Sequence, residues 1–166
     1  MADNIEGYVA RFNREAVIAG AWREVLAPGC FTRSLRDFPD VVALLDHDSG
    51  RVIGRTSAGT LELSEDAQGL RFRLLPDPST PSGQEAIGTV RRGDVRGCSF
   101  GFFVTDEEWQ DGGKRLPLRI IKDVELFEVT LTAFPAYGDD TEAALSGTAG
   151  AAARAAAKMR ARGITS

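Results

Sequence analysis

The stretch Gly97–Val104, GCSFGFFV, leaves little freedom over local structure. Cys98, Phe100, Phe102 and Val104 occupy alternate positions, and only an extended strand throws alternate side chains to one side. That side must lie against a core, which puts Ser99 on the opposite face, directly before a glycine. The later stretch Asp123–Thr132, DVELFEVTLT, has the same period. Phe127, Val129 and Leu131 share one face with Glu125, and Leu126, Glu128 and Thr130 share the other. The period predicts that the first set points into the core. Ser99 and Glu128 then project outward together if both strands pack on one core.

The remaining segments read as a β-rich chain. GYVARFN alternates as an early strand, and VVALLDH is a compact apolar run that suits a strand buried on both faces and ends in His47. LELSEDAQGLRFRLLP reads as a hairpin, while SGRVIGRTSAGT and DEEWQDGGKR read as turn regions. Phe31, Leu35 and Phe38 have the spacing of a short amphipathic helix that Pro39 would end. A second helix is expected from Ser82 and Glu85 at capping-box spacing, with Ile87 and Val90 on its apolar face and Gly93 as its stop. LRIIKDVELFEVTLTAF supplies one or two further strands. Residues 144–166 form an alanine-rich, basic tail, read as a weak helix or a mobile segment, after a domain at 1–143. Roughly six or more strands against two or three short helices indicate a mainly β, α+β domain: a barrel or sandwich with helices outside.

Composition narrows the function classes. Apolar residues are 43% and charged residues 27%, ordinary values for a globular domain that builds its own core. A net charge of −4 gives no general affinity for nucleic acid or an anionic membrane. The acidic start MADNIEGYVA lacks a signal-peptide layout, and no apolar run is long enough to span a bilayer, so a cytoplasmic location is expected. Cys30 and Cys98 have neither metal-site nor disulfide-framework spacing, which suggests a reducing compartment, and no metal is expected.

Few residues are suited to chemistry. His47 is the single histidine of the chain, it ends an apolar strand, and Asp46 and Asp48 flank it. Its ordinary pKa suits proton transfer near neutrality, whereas metal binding would need further ligands that the sequence does not cluster. Ser99 is a weak nucleophile unless a base stands beside it, and a serine–histidine pair usually has a third group that orients the ring. Glu128 and Glu125 are the two candidates for that group. Cys98 is the rival nucleophile, although it shares a face with the phenylalanines. Arg91, Arg92 and Arg96 read as a solvated helix end and loop or as the lining of a substrate groove. The competing functions are an enzyme with a small ester or amide substrate and a non-catalytic binding module.

The order of several segments carries more information than any one of them. EGYVARFN, EVLAPGCF, VVALLDHDSGRVIGRT, LELSEDAQGLRFRLLPD, VRRGDVRGCSFGF and DVELFEVTLTAFPAYGDD together resemble the prohead maturation proteases of HK97-type tailed phages, over about Ile5 to Ala143. Thr130 and AYGDD depart modestly from the commoner form of the last segment. The resemblance implies a herpesvirus-protease-like β-barrel with short helices packed outside, and a serine endopeptidase without a cofactor. His47 matches the general base of that family, Ser99 its nucleophile, and Glu128 the acidic third position, with Glu125 close by. It further implies cleavage of the major capsid protein or scaffold inside an assembling procapsid in a bacterial host, self-cleavage, and a homodimer. The alternative is a scaffold- or capsid-binding module that kept the fold without activity.

Overall fold

The computed structural model describes residues 3–146. Alternating apolar residues build two sheets. In the first, β1 (Ile5–Arg11) lies between β10 (Ala144–Leu145) and β7 (Gly69–Leu74), with β6 (Leu61–Glu65) outermost and every pair antiparallel. Leu70, Phe72 and Leu74 are buried while Arg71 and Arg73 between them are exposed, the pattern of a sheet with one face on a core.

The second sheet is organised around one long strand, β9 (Leu118–Thr132). β8 (Gly97–Gln110) runs antiparallel along one edge of it. Two parallel strands share the other edge, β3 (Trp22–Leu26) beside the start of β9 and β4 (Val42–Leu45) beside its end. β2 (Ala16–Ile18) and β5 (Asp48–Arg55) pair outside these. The gap between β3 and β4 is filled by α1 (Thr32–Asp37) and the loop before it. There the Val124 N–H donates to the Cys30 carbonyl at 3.1 Å and the Leu126 N–H to Ser34 Oγ at 2.8 Å. Backbone groups without a strand partner are thereby satisfied, which is what a buried edge requires.

Both sheets contribute to one apolar core, with Ile5, Val9, Leu70 and Leu74 from the first and Ile121, Val124, Leu126 and Val129 from the second. The expected β-barrel is not formed: neither sheet closes, and the domain is two open sheets packed on a shared core. Closure needs hydrogen-bonded contact between edge strands. Where β1 approaches β8, the segment before β10 is laced between them instead. The Glu142 N–H donates to the Tyr8 carbonyl at 2.9 Å, the Ala143 N–H to the Arg96 carbonyl at 3.1 Å, and the Cys98 N–H to Thr141 Oγ1 at 3.0 Å.

Other local differences have physical causes. α2 (Pro81–Arg92) is capped by Thr80, whose Oγ1 accepts from the Gly83 N–H at 3.1 Å, and not by the Ser82–Glu85 box. Pro81 takes the first helical position, which moves the start two residues upstream. Gly93 ends the helix at φ +78°, as expected of a left-handed stop. SGRVIGR is strand and not turn, because hydrogen bonding to β4 recruits it as an edge. DEEWQ likewise continues β8, since β9 is a single strand long enough to pair with it. Of the proposed tail, Ala144–Leu145 pairs with β1, so Thr141–Leu145 is fastened to the fold; residues 147–166 lie outside the described range.

Candidate active site

His47 occupies the tip of the β4–β5 hairpin, in the two-residue turn Asp46–His47. Both residues have positive φ, 50° and 57°, the backbone that a tight hairpin turn requires. Aspartate and histidine are among the non-glycine residues that tolerate this region, although each is strained there. Three hydrogen bonds hold the turn on β9. The Asp46 N–H donates to the Leu131 carbonyl at 2.9 Å, the His47 N–H to Thr130 Oγ1 at 2.9 Å, and Thr132 Oγ1 to Asp46 Oδ1 at 3.0 Å. Thr130 Oγ1 in turn donates to the Leu44 carbonyl at 3.1 Å. The tip therefore folds over the outward face of β9.

A β-bulge puts Glu128 under that tip. Gly101 pairs with Glu128 and Phe102 with Leu126, so Phe127 has no partner on β8. The extra residue changes the phase of β9. Val124 and Leu126 are buried before it, Val129 and Leu131 after it, and Phe127 is extruded to 45% exposure. This corrects the strict two-residue period, which put Phe127 and Glu125 on the core face and Leu126 on the outer one. Glu128 still points outward, yet it is only 7% exposed because the hairpin tip covers it.

Glu128 Oε1 makes a short hydrogen bond with His47 Nδ1. An ionised carboxylate can only accept, so Nδ1 donates in this contact, and in a neutral ring the lone pair then falls on Nε2. The ring is open to solvent, with its side chain 46% exposed. Glu128 Oε2 is buried without a partner among the described residues. Ser99, 7% exposed, is the ladder partner of Thr130, whose hydroxyl holds the His47 amide. Paired residues in a sheet have Cβ atoms about 4.5–5.5 Å apart. His47 and Glu128 thus touch and Ser99 flanks them, while no hydrogen bond joins Ser99 to His47 among the described residues.

The other candidates lie elsewhere. Cys98 is 2% exposed on the core side of β8, and burial pushes its thiol far above the usual range. The Glu125 carboxylate is 3.8 Å from the Arg33 guanidinium and makes no contact with His47. Arg91 pairs with Asp3 at 2.8 Å and Arg92 with Asp94 at 3.2 Å, as a solvated helix end would. Among the described residues, no group of three or more His, Cys, Asp or Glu side chains is placed to hold a metal ion, and no helix is long and apolar enough to cross a membrane.

Sequence reasoning missed the residues that position the site: Asp46, Thr130, Thr132 and Gly101. The threonines alternate on the face already marked by Glu128, which was the available signal. Gly101 carried no signal beyond its adjacency to the strand's apolar set. A Cβ there would stand 2.5 Å from Glu128 Cγ and 2.5 Å from Phe127 Cε2, so only glycine lets both side chains cross β8.

Comparison with solved structures gives the class. The structure of varicella-zoster virus protease superposes with a TM-score of 0.52 at 15% identity, covering 89% of this chain and 65% of that one. The fold is therefore that of a herpesvirus-type protease. Sequence comparison gives the family. The model of the Caudovirus prohead serine protease family matches residues 1–155, and the chain belongs to that family. A prohead protease of Escherichia phage T5 is 29% identical over 101 residues, which is 60% of this chain and 43% of the relative. The chain spans less than half the length of that phage protein and about two thirds of the herpesvirus one.

Proposed function

We propose that this chain is a serine endopeptidase of phage prohead maturation, with Ser99 as nucleophile, His47 as general base and acid, and Glu128 as the group that orients the imidazole. The contact of His47 Nδ1 with Glu128, on a turn bonded to the ladder partner of Ser99, carries the reading. In it, Ser99 Oγ attacks a peptide carbonyl as its proton passes to His47 Nε2. The tetrahedral intermediate collapses, the C–N bond breaks, and His47 hands the proton to the leaving amine. Water then attacks the carbonyl of the acyl ester as one of its protons passes to His47 Nε2. The C–O bond to Ser99 breaks, the acyl group leaves as the free carboxylic acid, and His47 returns the proton to Ser99 Oγ. Serine–histidine hydrogen bonds are often long in an unliganded site and tighten when substrate binds, so the missing Ser99–His47 bond suits a resting enzyme.

Family membership supports capsid or scaffold protein as the substrate and the procapsid as the place of action. Enclosure with substrate raises effective concentration, so a weakly binding enzyme suffices there and cuts little outside. Self-cleavage belongs to the same proposal, but not within Thr141–Leu145, which is largely buried and bonded to β1 and β8.

The test is co-expression with the phage capsid and scaffold proteins, comparing the chain with Ser99→Ala. Capsid processing and fluorophosphonate labelling are both expected to vanish in the variant. Processing that persists without Ser99 would leave a capsid-binding module, with cleavage by another protease. Labelling at Ser99 without capsid cleavage would point to a small-molecule esterase instead.

A further inference from the structure

Ser99, Gly101 and Phe103 share the outward face of β8, since Cys98 and Phe100 between and before them are buried in the core. Two aromatic rings cover this face beyond Ser99. Phe127, extruded by the bulge, lies against Gly101, where an added Cβ would meet its Cε2 at 2.5 Å and its Cζ at 2.7 Å. Its ring centroid is 5.0 Å from that of Phe103. Both rings remain open to solvent, Phe103 at 66% and Phe127 at 45%. Beyond Phe103 the surface turns polar, with Glu125 opposite it and Arg33 bonded to Asp123 and Thr105.

We infer that Phe103 and Phe127 form a recognition subsite for a large apolar side chain of the substrate peptide, about two residues from the scissile bond. The inference rests on the protease reading above. Successive residues of a strand rise by about 3.3 Å, so Gly101 stands ~6.6 Å along β8 from Ser99, and two residues of extended substrate cover the same distance. A glycine, a bulge and a ring-to-ring contact combine to hold an aromatic surface out of the core beside the nucleophile. Rings are exposed at Phe38, Trp109 and Phe134 as well. This pair differs in that its rings lie against each other on the face that carries Ser99, a contiguous apolar surface suited to binding. The patch is too small for a stable contact between two copies of this chain. Two rings at these exposures offer on the order of 200 Å², against about 800 Å² per partner in a standard interface.

The test uses the full chain and a mixture of synthetic peptides with randomised positions, with cleavage sites read by mass spectrometry. Apolar residues such as Leu, Met or Phe are expected to be enriched at one position within three residues of the cut. Matched peptides bearing Leu or Ala there should differ in kcat/KM by about tenfold or more, the discrimination a hydrophobic subsite supplies. In the double variant Phe103→Ala with Phe127→Ala that ratio should fall to within about twofold. Being a ratio within one protein, it is insensitive to a general loss of activity or fold. Phe103→Arg, at a largely exposed position, should move the preference toward Asp or Glu at the same position. An apolar preference that survives the double variant overturns the inference, as does its absence from the intact chain. Double-variant protein that changes from dimer to monomer by sedimentation with its ratio intact assigns the rings to a second copy and also overturns it. The protease reading fails separately, and takes this inference with it, if no peptide is cut in a Ser99-dependent manner and Ser99 does not label with a fluorophosphonate.

Discussion

Gly101 faces Glu128 across the β8–β9 ladder, and a Cβ at Gly101 would stand 2.5 Å from Glu128 Cγ. No ordinary contact is that short, so a methyl group there must displace the carboxylate that bonds His47. Gly101→Ala is expected to lower kcat/KM on a capsid substrate by on the order of 100-fold, the cost of roughly an ångström of misplacement. Overpacking should also cost about 1–3 kcal/mol of stability. Steady-state kinetics and thermal melts of the variant check both, and activity within twofold of the parent would remove Gly101 from the site.

Glu128→Gln keeps the shape of the side chain but not its charge. Its amide can accept at one end only, and its NH2 group then occupies the position of Oε2, which is buried and has no partner among the described residues. We expect kcat to fall by about 10²–10⁴ with KM little changed, as for loss of a group that stabilises the imidazolium. Glu125→Gln should stay within a few-fold of the parent, because Glu125 faces Arg33. The reverse ranking would transfer the third role to Glu125.

The thiol one residue from Ser99 is inert on this structure. Cys98 is buried against the core, and burial holds its thiol protonated well above the usual range. Cys98→Ala should retain activity within a few-fold and lose about 1 kcal/mol of stability for the smaller side chain. Iodoacetamide should not inactivate the native chain. Inactivation that Cys98→Ala prevents would reopen the cysteine mechanism.

Tyr137 predicts a stability effect confined to one pH range. Its hydroxyl donates to Glu24 Oε1, while Trp22 Nε1 donates to Oε2 at 3.0 Å, and Glu24 is 4% exposed. Burial, with the bond to Glu24, pushes the phenol above its ordinary value. A raised folded value means stability that is complete below the unfolded pKa and lost as pH rises through the folded one. Tyr137→Phe should therefore unfold about 1–3 kcal/mol more easily at pH 7, since a buried carboxylate loses a donor. The gap should narrow above about pH 10, where the unfolded tyrosine ionises. Urea titrations at pH 7 and pH 10.5 measure it, and a gap that widens in alkali would contradict the assignment.

The strand periods were legible wherever pairing was regular. Leu70, Phe72 and Leu74 bury as their spacing predicts, and Ser99 faces away from Phe100 and Phe102. Gly93 ends α2 because a left-handed stop is a local property of the backbone. The period failed at Phe127, because one unpaired residue reverses the phase of every position on one side of it and leaves no mark in composition. SGRVIGR failed similarly: its glycines read as a turn, but a ladder to β4 outweighs local preference.

By itself the sequence narrowed the groups suited to serine-type chemistry to a single imidazole, a strand serine read outside the core and two nearby carboxylates, with Cys98 left as the rival thiol. It also marked the β-rich class, because alternation recurs over Gly97–Val104, Asp123–Thr132 and Leu70–Leu74 while few stretches carry a helical period. The tertiary structure decided which carboxylate meets the histidine, how the hairpin tip is held, and that the sheets stay open. Those outcomes depend on contacts between segments far apart in the chain: the bulge at Phe127, the Thr130 hydroxyl under His47, and the Thr141–Leu145 segment between β1 and β8. Each is set by hydrogen-bond partners that exist only after the chain has folded, and local residue preferences carry no record of them.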